Sequence, residues 1–290
     1  MQAKEKIINW LCFAALSIIW GSSFILMKAG MTALSPYQVA SIRILSAGLV
    51  LLPAAITRWK EVPFDQLRLV VLSGLLGSFF PAYLFCIAET RIDSSLAGIL
   101  NALTPLSAIL LGVFFFQLPV TPRKVAGVII GFIGLCLLFL AKGKISFNDI
   151  SYASLVLLAT VFYGINVNMV GRHLKGVPSV TIAALAFSSL IIPSLLVLAL
   201  TGFFQLPLTD SSVQWSTAAS VLLGVMGTAI ASIIFYVLVK RAGTVFSSLV
   251  TYGIPFVAVA WGLIYGETIN LLQVACLGII LAGVFMVNKK

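Results

Sequence analysis

The stretch NALTP, residues 101–105, stands inside an apolar run that extends from residue 96 to residue 118. Proline has no backbone N–H, and its ring crowds the preceding turn of a helix. Pro105 therefore cannot complete the helical hydrogen bond to the carbonyl of Asn101, which is itself a polar residue in apolar surroundings. This stretch predicts a broken helix inside an otherwise apolar segment.

The stretch TYGIP, residues 251–255, repeats this arrangement 150 residues later. Here Pro255 deprives the carbonyl of Thr251 of its helical donor. In hydrocarbon an unpaired carbonyl costs several kcal/mol, so each freed carbonyl must face water, a substrate or a neighbouring donor. Two helices are thus predicted to break in the same way, each beside a polar side chain.

The composition excludes an ordinary soluble domain. Of the 290 residues, 61% are hydrophobic and only 9% are charged, and the mean hydropathy is +1.14. A bilayer core of roughly 30 Å needs about 20 apolar residues per helix. The chain therefore predicts an all-α integral membrane protein with ten transmembrane helices, at 7–28, 36–57, 68–89, 94–116, 123–140, 149–170, 178–200, 215–239, 245–265 and 271–288.

The charges are distributed by membrane side, which explains the net charge of +10 without nucleic acid. If the N-terminus is cytoplasmic, 13 of the 18 Lys and Arg residues fall in cytoplasmic segments and four on the opposite side. Arg43 is left within a span. The positive-inside rule then places both termini in the cytoplasm of a multi-pass protein of the cell inner (plasma) membrane.

An internal repeat divides the chain into residues 1–145 and 146–290. At a shift of 150 residues, glycines and prolines coincide without a gap, and the matched pairs include Gly74 with Gly224, Gly77 with Gly227 and Pro105 with Pro255. Each half holds five predicted spans, and because five is odd the second half is inverted in the membrane. Inverted repeats are the architecture of secondary transporters, whose substrate sites lie near the midplane at broken helices.

These features resemble a known family, and four stretches carry the resemblance: WGSSF at 20–24, SPYQVASIRIL at 35–45, TP at 104–105 and YGETINLLQVACLGIILAGV at 265–284. With the ten spans in two halves, they resemble the EamA-like branch of the drug/metabolite transporter superfamily over nearly the entire chain. The resemblance implies two EamA-like repeats forming one membrane domain. It also implies a carrier of amino acids or other small metabolites, with relatives that carry nucleotide sugars or phosphorylated sugars.

Polar side chains within spans indicate a cavity, because they are costly in a bilayer and mark functional positions. Asn101 and Thr251 correspond in the repeat, and Ser23 and Asn166 correspond at a shift of 143 residues. The alternative interpretation is hydrogen bonding between packed helices. The predicted cavity residues are Trp20, Ser23, Tyr83, Asn101, Pro105, Tyr163, Asn166, Tyr236, Thr251, Tyr252 and Pro255.

Arg43 lies about 10 Å into the second span, from which its side chain can reach the interface. Anchoring to Glu89 or to backbone carbonyls is one interpretation, and recognition of a substrate carboxylate is the other. All eight acidic residues fall in loops or at span ends. Coupling to a midspan carboxylate is therefore not predicted, while facilitated transport, exchange and coupling at Glu89 stay open.

No motif for catalysis, a metal or a cofactor is present in the sequence. There is no GxxxxGK[ST], HExxH or GxSxG, and the four cysteines are widely separated. We therefore predict no enzyme and no cofactor, and we expect a small-molecule substrate and the lipid bilayer as partners. The predicted function is a secondary transporter that exports small metabolites, amino acids or related amphipathic compounds, by alternating access.

Three alternatives remain from the sequence. A carrier of phosphorylated or nucleotide-linked sugars would need several cationic side chains in its cavity, and the spans supply Arg43 with Lys28 at an edge. A membrane-embedded enzyme would need a His or carboxylate cluster at one depth. A channel would lack two alternately closed states.

Overall fold

The structure, a computed structural model, describes residues 2–92, 94–142, 150–257, 260 and 271–288. Within these residues the chain is helical and contains no strand. The predicted boundary between the two halves, at 145/146, lies outside them. The all-α prediction is confirmed for the described part of the chain.

The described residues of the first half form seven α-helices: α1 (Gln2–Gly30), α2 (Pro36–Arg58), α3 (Phe64–Gly74), α4 (Phe80–Ala88), α5 (Ser94–Asn101), α6 (Thr104–Phe116) and α7 (Pro122–Lys142). A π-helical turn, Leu75–Phe79, joins α3 to α4 without interrupting the span. A short 3-10 helix, Trp59–Glu61, follows α2.

The second half contains α8 (Ile150–His173), α9 (Ser179–Ser189), α10 (Ile191–Leu200), α11 (Ser211–Gly224), α12 (Ala231–Ala242), α13 (Thr244–Ser248) and α14 (Leu271–Asn288). A second π-helical turn, Val225–Ile230, joins α11 to α12. Short 3-10 helices cover Phe203–Gln205 and Leu249–Tyr252, and 254–257 is again helical.

Local sequence signals explain where helices begin. Ser35 and Gln38 form a capping box at the start of α2, in which the Gln38 N–H donates to Ser35 Oγ at 3.3 Å and the Ser35 N–H to Gln38 Oε1 at 2.9 Å. Asp210 caps α11, and its carboxylate accepts hydrogen bonds from the side chain and backbone of Ser212. These bonds hold the pKa of the Asp210 carboxyl below its usual value.

Six helices in the described residues are long and apolar enough to cross a membrane: Glu5–Gly30, Pro36–Glu61, Phe64–Ala88, Ile150–His173, Ser179–Leu200 and Ser211–Ala242. Three shorter apolar helices are Thr104–Phe116, Thr244–Val257 and Val274–Val287. A multi-pass helical membrane protein is thus confirmed, whereas the count of ten spans stays a prediction.

The helix pair α7 and α14 forms the most extensive contact between two helices. Gly283 makes this possible, because a Cβ built on it would stand 2.5 Å from both the Gly127 carbonyl oxygen and the Gly131 nitrogen. The backbones of the two helices therefore meet directly, as small residues allow in membranes. The pair closes one of the two buried apolar clusters, and α2, α4, α8 and α9 contribute to the other.

Candidate transport cavity

The helix break predicted from NALTP is present. Helix α5 ends at Asn101 and α6 begins at Thr104, with Pro105 in its first turn. The hydroxyl of Thr104 donates to the Asn101 carbonyl oxygen at 2.6 Å. Of the three alternatives for that carbonyl, a neighbouring donor is therefore the one that satisfies it.

The corresponding stretch of the second half is also interrupted. Helix α13 ends at Ser248, a 3-10 turn follows over Leu249–Tyr252, and the chain is helical again at 254–257. The hydroxyl of Thr251 donates to the Ser248 carbonyl oxygen at 3.0 Å. Both breaks thus combine a polar residue with a proline and use local hydroxyl bonds.

A cavity lies between α1, α2, α4, α5, α6, α8, α12 and α13 and reaches both π-helical turns. Its volume, including the part that is open to solvent, is about 970 Å³. We call this the central cavity. Eight of the sequence-predicted positions line it: Trp20, Ser23, Arg43, Asn101, Tyr163, Asn166, Tyr236 and Thr251.

The five remaining predicted positions are not among the residues that line the central cavity. The Tyr83 hydroxyl is 2.7 Å from Ser41 Oγ, and the Tyr252 hydroxyl donates to the Val128 carbonyl oxygen of α7 at 2.8 Å. The hydroxyls of both tyrosines thus take part in contacts between helices. Two prolines and one acid complete the five: Pro105 and Pro255 lie in the first turn of the helical segment that follows each break, and Glu89 is half-buried just after α4.

Several lining residues were not singled out from the sequence, and the two glycines of the π-helical turns are the most informative. A Cβ on Gly77 would stand 2.3 Å from Asn166 Nδ2, and one on Gly227 would stand 2.8 Å from Ser23 Oγ. The Trp20 indole N–H donates to the Gly227 carbonyl oxygen at 3.0 Å. The repeat alignment had paired these glycines, so a signal was present. Other such lining residues are Phe24, Phe85, Thr104, Ser232 and Phe235.

Arg43 is the one cation among the described residues that line the central cavity. Its Nε–H donates to Thr228 Oγ1, in the second π-helical turn, at 2.6 Å. The guanidinium has five N–H groups in a fixed fork, so most of its donors remain for another partner. The arginine thus combines an anchor to the opposite half with capacity to bind an anion.

The other polar groups of the cavity present acceptors. The hydroxyls of Ser23 and Ser248 donate to carbonyls of their own helices at 2.8 Å, which leaves their oxygen lone pairs available. Asn166 is only 4% exposed, and its Oδ1 has no hydrogen-bond partner among the described residues. Buried polar atoms are nearly always hydrogen-bonded, so this one suits a ligand or water.

The described residues contain no group of three or more His, Cys, Asp or Glu side chains placed to hold a metal ion. The cavity therefore offers one fork of donors, several acceptors and aromatic walls. Such a lining can bind and orient a small amphipathic molecule.

Comparisons with known proteins identify the family of the chain. The model of the EamA-like transporter family matches residues 8–140 and 150–289. The chain is 24% identical over 284 residues to an uncharacterized transporter of Archaeoglobus fulgidus, with 97% of this chain and 99% of that protein covered. It is 26% identical to the uncharacterized inner membrane transporter YedA of Escherichia coli K12, covering 94% of this chain and 88% of the relative.

A probable amino-acid metabolite efflux pump of Salmonella typhimurium is also 26% identical, and the match covers 93% of this chain and 91% of the pump. One solved crystal structure matches with a TM-score of 0.72 at 18% identity, over 99% of this chain and 98% of the other, which shows a shared fold. The family model alone accounts for nearly the whole chain. The chain therefore belongs to the EamA-like transporter family.

Proposed function

We propose that the protein is a secondary transporter that exports amino acids or related amphipathic metabolites by alternating access around the central cavity. One observation carries the proposal: the lining combines a single arginine fork with a buried, unpartnered amide oxygen on Asn166. A zwitterion presents the complementary pair, because its carboxylate fits the fork and its ammonium fits the acceptors.

The walls of the cavity support an amphipathic substrate. Trp20 and Phe235 have their ring centroids 5.4 Å apart, and Tyr163 and Phe85 are stacked at 6.3 Å. Aromatic faces bind apolar side chains and attract an ammonium group. Arg43 is the one cation among the described lining residues, which argues against phosphorylated and nucleotide-linked sugars, because their charge would require several.

The proposal includes ten spans in two inverted repeats, residues 1–145 and 146–290. The packing supports it: α1 contacts α11 and α12, while its repeat counterpart α8 contacts α3 and α4. The glycine contacts follow the same exchange, with Gly227 against Ser23 and Gly77 against Asn166. The two ranges matched by the family model, 8–140 and 150–289, also divide the chain at this point.

A topology experiment tests the proposed orientation, in which both termini lie on the cytoplasmic side of the inner membrane. We expect a membrane-impermeant maleimide to label Thr209→Cys in intact cells and to leave Lys175→Cys unlabelled until the membrane is permeabilised. The expectation rests on the excess of Lys and Arg on one side. The wild type gives the background of the four native cysteines. Labelling of Lys175→Cys alone in intact cells would contradict the orientation.

A substrate experiment tests the role of Arg43. Proteoliposomes are screened with labelled amino acids, and each transported one is compared with its amide. We expect Arg43→Gln to raise KM for the amino acid about ten-fold or more, because a hydrogen bond to a charged group is lost, and to leave the amide nearly unaffected. Thr228→Val is the control, since it removes the anchor seen at 2.6 Å and keeps the charge.

Two results would count against the proposal. Transport of no amino acid in the panel would remove the substrate class. Equal KM values for an amino acid and its amide in the wild type would show that Arg43 does not bind the carboxylate.

A further inference from the structure

A second pocket lies where α6, α8 and α12 end and α13 begins. Its volume, including the part that is open to solvent, is about 840 Å³. It shares no lining residue with the central cavity. We call it the end pocket. Arg172, Lys175 and Lys240 line it, and no acidic side chain is among its described lining residues.

Two of the three basic side chains of the end pocket, Arg172 and Lys240, donate to oxygen atoms that carry no net charge. Arg172 donates to the Phe116 carbonyl oxygen and, at 3.2 Å, to Gln117 Oε1. Lys240 donates to the Val177 carbonyl oxygen. These bonds use two of five N–H groups of the arginine and one of three of the lysine. The positive charges of Arg172 and Lys240 are therefore held at the pocket, and both side chains keep donors for another partner.

Two buried side chains of the end pocket have polar atoms without a partner among the described residues. Thr244 is 7% exposed and Asn168 is 1% exposed, and the unpartnered atoms are Thr244 Oγ1 and Asn168 Oδ1. The amide nitrogen of Asn168 already donates to the Ala108 and Gly164 carbonyl oxygens, both at 2.8 Å. Asn168 can therefore only accept, whereas the Thr244 hydroxyl can donate.

We propose that the end pocket binds a small oxyanion, a carboxylate or phosphate group on a molecule that also carries a hydroxyl hydrogen. Arg172, Lys175 and Lys240 neutralise its charge, and the Thr244 hydroxyl donates to one of its oxygens. Asn168 Oδ1 accepts the hydroxyl hydrogen, directly or through a water. The proposal goes beyond the proposed transport function, because the site is separate from the central cavity.

In the proposed topology this pocket opens to the cytoplasm, so its oxyanion has two sources: a soluble metabolite or the headgroup of an anionic lipid. Both present phosphate or carboxylate oxygens to the same donors. The experiment therefore uses one arm for each source.

The first arm titrates inorganic phosphate into the full chain, purified in a neutral detergent, and measures the thermal unfolding midpoint. We expect a saturable rise with phosphate and none with chloride at equal ionic strength. Thr244→Val keeps the shape of the side chain, and Lys175→Gln removes an exposed charge. Each should raise the half-saturating phosphate concentration about ten-fold. Lys60→Gln is the matched control at a lysine outside the pocket.

The second arm places the protein in nanodiscs of phosphatidylcholine with or without phosphatidylglycerol. A stabilisation by phosphatidylglycerol that Thr244→Val and Lys175→Gln remove would assign the site to a headgroup. Equal shifts in the wild type and both variants would overturn the proposal, as would no shift in either arm. Arg43→Gln should respond like the wild type, so this test can fail or succeed independently of the transport proposal.

Discussion

The Gly283→Ala variant should unfold at a clearly lower temperature than the wild type, whereas the Gly278→Ala variant, changed in the same helix, should not. A methyl group on Gly283 would stand 2.5 Å from backbone atoms of Gly127 and Gly131, which cannot rotate away. Helices α7 and α14 must therefore separate, and overpacking of this kind costs about 1–3 kcal/mol. Around Gly278 nothing lies within 4 Å of the same methyl group.

The comparison is measured as the thermal midpoint of the detergent-purified protein. Gly278→Ala is a matched control, because it changes helix propensity in the same direction and fills no contact. Alanine is favoured over glycine inside a helix by about 0.5–1 kcal/mol, so this variant should be neutral or slightly stabilised. Equal midpoints for the two variants would show that α7 and α14 do not meet at Gly283.

The two glycines also show what could be predicted from sequence. Glycines in apolar segments are typical of close helix packing, but their positions in the sequence do not show which glycine makes the contact. Residues 278 and 283 are five positions apart, which places them about 140° apart around the helix. Only one of them can face α7, and the packing of the whole bundle decides which.

The same distinction applies to the central cavity. The depth of a residue follows from its position along a span, and proline chemistry is local, so the breaks beside Asn101 and Thr251 could be predicted. The direction of a side chain around its helix could not be predicted. Tyr252, for example, is directed toward Val128 on α7. Thr104, three residues after Asn101, is the donor that sequence reasoning missed.

The π-helical turns could not be predicted from the sequence either, for a different reason. A span that is apolar on all sides has the same composition with or without a π-helical turn, and such turns often occur at functional sites. The sequence indicated only that Gly77 and Gly227 correspond in the repeat. The structure adds what they do: each allows a polar side chain of the other half to approach the backbone, Asn166 at Gly77 and Ser23 at Gly227.

Alanine at Gly77 is expected to cause the largest loss of transport with the least loss of folded protein. The new methyl group would stand 2.3 Å from Asn166 Nδ2, so the buried amide must move within the central cavity. A displacement of about 1 Å can cost about 100-fold in rate, and we expect transport to fall roughly 10- to 100-fold. Initial uptake rates in proteoliposomes, normalised to reconstituted protein, measure this.

Gly227→Ala should have a smaller effect, because the atom it meets is the hydroxyl of Ser23 at 2.8 Å, at the end of a short side chain that can change rotamer. Gly278→Ala serves again as the control for a glycine without neighbours. A Gly77→Ala protein that transports at the wild-type rate would contradict the role given to Asn166.

A double-mutant cycle separates Asn166 from the backbone of the π-helical turn. Asn166→Ala removes the amide that the methyl group at position 77 would strike, so both alanines can fit together. If Gly77→Ala acts by displacing Asn166, it should reduce transport strongly in the wild type and hardly further in the Asn166→Ala background. If the double variant instead loses as much transport as the two single variants together, the effect belongs to the π-helical turn itself. A stiffer or straighter backbone at Gly77 would reduce transport whichever side chain lay opposite.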